Sequence, residues 1–76
     1  MIKELDLVAL RENLPEHGLV AGDVGTVVMV HGEGKGYEVE FVTSAGETVA
    51  VLSLYAGQVR ALAGREILHA RELIAV

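Results

Sequence analysis

Cysteine is missing from all 76 positions, which removes disulfides, thiolate nucleophiles and cysteine-based zinc sites from the chemistry open to the chain. Tryptophan is missing too, and Tyr37, Phe41 and Tyr55 are the only rings, so the interior is left to valine, leucine and alanine. A small aliphatic core gives modest stability, and self-association is expected on that ground. Cations are scarce: six Lys and Arg stand against eleven Asp and Glu, a net charge of −5. Nucleic-acid affinity rests largely on cations that displace counterions from phosphate, so a nucleic-acid partner is disfavoured. No apolar run approaches membrane-spanning length, and Lys3, Glu4 and Asp6 interrupt any secretory core near the start. The expectation is a cytoplasmic protein with no membrane partner.

What is present points to a folded domain. Hydrophobic residues make up 51% of the chain and charged ones 22%, so the composition of disorder is absent. The organising stretch is Gly18 to His31, where glycines at 18, 22 and 25 bend the backbone before Thr26–Val30, a β-branched and apolar run. Strict alternation puts Thr26, Val28 and Val30 on one face of that strand and Val27, Met29 and His31 on the other. Residues 5–11 read as a first strand, and Glu12–Gly18 as a polar loop that Pro15 keeps out of helix. Leu19 is the apolar anchor of the loop that follows. Gly32–Gly36 closes a hairpin. Tyr37–Val42 returns with Val39 and Phe41 toward the core and Glu38 and Glu40 toward water.

After a turn at Thr43–Gly46, Glu47–Leu54 forms the next strand, with Val49 and Val51 on one face and Ala50, Leu52 and Leu54 on the other. A strand apolar on both faces is covered twice or belongs to an interface. Ala56–Gln58 reads as a single helical turn and Val59–Leu62 as a last short strand. In the remaining segment, residues 63–76, Ala63, Ile67, Ala70 and Ile74 share one helical stripe with Leu73 beside it. Gly64 is a poor early helix position, however, and so short a helix needs something to pack on. Helix is favoured there and an added strand is the alternative. The fold class expected is mainly β: a small SH3-like barrel of about five antiparallel strands over residues 1–62. Residues 63–76 form a C-terminal extension lying on the barrel or on a neighbouring chain.

Leu14-Pro15-Glu16-His17-Gly18-Leu19, then Gly22-Asp23-Val24-Gly25-Thr26-Val27-Val28, then Tyr37-Glu38-Val39-Glu40-Phe41 together resemble a family of short bacterial proteins classed as a domain of unknown function. More distantly they resemble the SH3-like domain of the nitrile hydratase β-subunit and KOW-type barrels. The resemblance spans roughly residues 5–62. It implies a fold and no activity, because the first family has no established catalytic residues. The nitrile hydratase metal is held by the other subunit's cysteine motif, and the basic face of an RNA-binding KOW domain is missing here.

Residues that invite a chemical reading have plainer ones. Gly32-x-Gly34-x-Gly36 with Lys35 lacks the following helix of a phosphate loop. His17, His31 and His69 have no ligand spacing between them, so no metal is expected. Ser44 and Ser53 as nucleophiles would need a pocket and a base that so small a barrel scarcely holds, and neither catalysis nor a cofactor is expected. Glu38 and Glu40 form an acidic patch or are simply solvated. The function expected is therefore a small non-catalytic protein-interaction module, a homodimer contacting through Leu52, Leu54, Tyr55, Ile67, Leu73 and Ile74. The alternatives are an accessory or neutralising subunit of an enzyme or toxin, which would co-purify with its partner, and a KOW-like nucleic-acid-binding barrel, which would be retained on single-stranded RNA in a salt-dependent way.

Overall fold

β-branched and apolar runs separated by glycine turns give five strands in the computed structural model, which describes residues 1–73: β1 (Leu7–Leu10), β2 (Val24–His31), β3 (Gly36–Val42), β4 (Thr48–Tyr55) and β5 (Val59–Ala61). All neighbours are antiparallel, in the spatial order β4-β3-β2-β1-β5. The mainly β expectation therefore holds, with one five-stranded sheet. The core lies on one face of it, with Val8 and Leu10 of β1, Val27 of β2, Val39 and Phe41 of β3 and Leu54 of β4 all buried. Leu14 and Leu19 close the end of the core. They exchange backbone hydrogen bonds, while Pro15–His17 makes one 3-10 turn between them that ends on a left-handed Gly18. Leu19 is thus the anchor its setting in the sequence suggested. At the other end, Gln58 in the 3-10 turn Ala56–Gln58 accepts the Tyr55 N–H and donates to Glu12, and Arg11 donates to the Val59 carbonyl.

Two strands differ from strict alternation, for the same reason. Val27 faces Val39 and Met29 faces Glu38, so Val28 is an extra residue in β2. In β4, Ala50 faces Phe41 and Thr48 faces Val42, so Val49 is the extra residue. A bulge of this kind reverses the side-chain phase beyond it. Met29 accordingly lies on the outer face and half-exposed, not with Val27, whereas Val30 turns inward against the core. Val49 also packs on the core and parts from Val51, which stays outside. Much of the apparent excess of apolar residues in these strands is absorbed in this way.

The hairpin at Gly32–Gly36 forms as its glycines suggested. Gly32 and Glu33 both have positive φ (55° and 59°), and the Gly34 N–H donates back to the His31 carbonyl. Positive φ at both central residues is the turn whose twist matches that of the flanking strands.

Beyond β5 the expectation of a helix or an added strand is not met, since residues 62–73 carry neither. The Glu66 side chain is drawn into a local turn by the Ala63 N–H and by Arg60. Among the described residues no buried core residue comes from the tail, so the burial that would repay a helix's nucleation cost is missing there. Among the described residues, no helix is long and apolar enough to cross a membrane.

Candidate interaction surface

The outer face of β2, β3 and β4 is built from cross-strand pairs. Glu38 sits at its centre: the Ser53 hydroxyl of β4 donates to Oε2 from one side, and Nε2 of His31 in β2 lies 3.0 Å from the same oxygen on the other. Thr48 donates to Oε2 of Glu40 at 3.0 Å. Both glutamates are half-buried. They are therefore tied into the sheet and are not the freely solvated side chains their alternation suggested. The Ser53 hydrogen bond, then that of His31, holds the Glu38 carboxyl below the usual carboxylate range.

Ser53, His31 and Glu38 are residue types that hydrolases use, but here they meet in a different order. In a nucleophilic triad the imidazole stands between the hydroxyl and the carboxylate, whereas here the carboxylate stands in the middle. Ser53 donates its hydrogen bond to a carboxylate of lowered pKa, which is a poor base. This order orients side chains across three strands and leaves the hydroxyl unactivated. Among the described residues, no three His, Asp or Glu side chains are grouped to hold a metal ion.

Around the polar centre lie exposed aliphatic side chains: Val28 and Met29 of β2, Val42 of β3 and Val51 of β4. They continue to β4, which has a strand on one side only. Its eight residues, Thr-Val-Ala-Val-Leu-Ser-Leu-Tyr, contain no charge and no proline. Edge strands in natural proteins are usually blunted by lysine, proline, short length or a bulge; β4 has no charge, no proline and full length, and beyond its bulge at Val49 the run Ala50–Tyr55 pairs regularly with β3.

Of the six residues expected to form a contact surface, Leu54 is 6% exposed and belongs to the core, so it offers no surface, and Leu52 is half-buried against the same core. The register explains both, because Leu52 and Leu54 face Val39 and Tyr37 on the buried side of the sheet. Tyr55, at 80% exposure, remains at the end of β4. Ile67 is 95% exposed and Leu73 about half-exposed, both on the tail, and Leu73 lines one cleft with Val42 and Val49. Ile74 lies outside the described residues.

A contact with no signal in the sequence joins the tail to the body. Arg71 donates through Nε to Asp23 Oδ1 (2.9 Å) and through Nη2 to Asp23 Oδ2 (2.6 Å) and to the Gly18 carbonyl (3.0 Å). The pair spans 48 residues, and neither periodicity nor spacing marks it. Burial opposes the ionised form of Asp23, but the Arg71 hydrogen bonds, the Val20 N–H and the Arg71 charge outweigh it and set its pKa below the ordinary value. A carboxyl with a lowered folded pKa contributes its stabilisation above the free value, about 3.9 for Asp, and loses it as pH falls through the folded value. The tail is therefore expected to stay docked at neutral pH and to be released only as pH falls below the free Asp value and through the lowered folded one. Backbone 15N relaxation of residues 69–73 across an acid titration measures this.

A model of one protein family, described as a domain of unknown function (DUF4926), matches residues 4–61. The match ends where β5 ends. No curated protein and no solved structure matches the chain at a significant level.

Proposed function

The chain belongs to the DUF4926 family, and from that premise we propose that it is a small non-catalytic protein-interaction module whose first partner is a second copy of itself, paired through β4. The observation that carries this reading is the open edge at Thr48–Tyr55, eight residues long and without charge or proline. Strand addition at such an edge gains main-chain hydrogen bonds. A two-fold pairing of β4 with its own copy sets no charged side chains opposite one another, because β4 has none. Val51 and Tyr55 would lie over the join, while Glu38 and Glu40 stay one strand back on each side. Across such a pair those glutamates are separated by roughly a Debye length or more, and their repulsion is screened at physiological salt.

The reading includes an SH3-like barrel. The strand order with β1 between β2 and β5, and the single 3-10 turn between β4 and β5, support it. A nucleic-acid-binding role is less well supported. Of the six Lys and Arg side chains, Arg11, Arg60 and Arg71 are already engaged by Val59, Glu66 and Asp23, which leaves few cations for phosphate. Sedimentation equilibrium tests the reading: a mass of twice the chain at high concentration that falls toward one chain on dilution is expected, and a single-chain mass throughout would contradict it.

A further inference from the structure

We propose that the corner made by the Asp23 carboxylate and the Gly18 carbonyl, with the groove beside it, is a binding site for an extended peptide segment bearing an arginine, and that residues 69–73 are its resident ligand. The receptor half is preset by the body of the domain. The Val20 N–H donates to Asp23 Oδ2 (2.9 Å) and so orients the carboxylate independently of the tail. Gly18 is fixed by its left-handed backbone and its N–H bond to the Pro15 carbonyl. These acceptors take three N–H groups of one guanidinium, two of them as a fork on the carboxylate. Only arginine can present that fork, since lysine is a point charge without a plane. Beside the corner, Leu19, Val24, Phe41, Val42 and Val49 of the body and residues 69–73 of the tail bound an open cleft of about 450 Å³.

The tail is attached as a ligand is attached. Residues 62–73 have no helix or strand and add nothing to the buried core. Among the described residues, the side-chain bonds from the tail to the body are those of Glu66 to Arg60, next to its origin, and those of Arg71. Gly18 and Asp23 lie within the family match, and Arg71 lies ten residues past its end. The site thus belongs to the shared domain and its occupant does not.

The test uses the full chain carrying Arg71→Ala, which empties the corner without touching the core. The probe is the acetylated, amidated peptide Glu-Ile-Leu-His-Ala-Arg-Glu-Leu, corresponding to residues 66–73, added during NMR titration. Saturable shifts of the Gly18, Val20 and Asp23 amides are expected for the variant. Wild type should need about ten times more peptide, because its own tail competes at an effective concentration near millimolar. The same peptide with lysine in place of arginine should bind at least about tenfold more weakly. No shifts in the variant, or equal binding of the lysine peptide, would overturn the proposal. Sedimentation of Arg71→Ala is expected to match wild type, so failure here is distinguishable from failure of pairing at β4.

Discussion

Gly25→Ala is expected to lower the unfolding free energy by about 3 kcal/mol, the upper part of the range for overpacking a filled core. Gly25 faces Val8 on the core side of the sheet. A Cβ placed there would stand 2.5 Å from Val39 Cγ1, 2.9 Å from the Glu40 carbonyl oxygen and 2.9 Å from Phe41 Cε1. None of the three yields cheaply. Val39 is β-branched and fully buried, Glu40 contributes backbone inside a paired strand, and Phe41 is the ring that fills that end of the core. At roughly 0.05–0.15 kcal/mol per residue, a domain of this size has a total stability of about 4–11 kcal/mol, so one methyl group removes a large share. The φ of Gly25 is not positive, and the penalty is therefore steric. Gly57→Ala is the control: nothing lies within 4 Å of its added Cβ, and it should gain about 0.5 kcal/mol through a less flexible unfolded chain. Urea unfolding of the two variants, with unchanged m-values, measures the difference.

Val51→Lys is expected to weaken self-association by at least about a hundredfold while leaving the fold intact. Val51 is 51% exposed on the outer face of β4 and contributes nothing to the core, so the stability cost to one chain should be within about 0.5 kcal/mol. In a pair formed through β4, two copies of the new lysine come together near the two-fold axis, where like charges directly opposite destabilise. Lysine on an edge is also the device by which natural sheets refuse strand addition. Sedimentation velocity at matched concentrations, with circular dichroism as the check on folding, reads the effect.

The sheet was legible in the sequence wherever the period of two was clean. Tyr37, Val39 and Phe41 alternate with Glu38 and Glu40, and β3 places them as that pattern requires. The loop anchor Leu19 and the glycine hairpin were legible because each has a local cause. The phase of β2 and β4 was not, since Val27-Val28-Met29-Val30 and Val49-Ala50-Val51 are apolar throughout and contain no mark of where an extra residue sits. A bulge changes which side chains are buried without changing composition. Leu54 misled differently: alternation gives the face it shares with Ala50 and Leu52, but with both faces apolar nothing local showed that this one lies opposite Tyr37, Val39 and Phe41 in the core. The tail misled for a different reason: its helical stripe is real, but a stripe makes a helix only when its face is buried, and the described residues 63–73 are exposed, with Arg71 tying the segment to the body instead. The Arg71–Asp23 pair depends on a three-dimensional coincidence of residues 48 apart, which no local pattern encodes.

Amide hydrogen exchange along β4, followed at low micromolar and at millimolar protein, tests the pairing claim most directly. The account predicts that the β4 amides pointing away from β3 become markedly protected as concentration rises, while amides of β5, at the opposite edge, exchange at unchanged rates. Equal exchange of the outward β4 amides at both concentrations would contradict it.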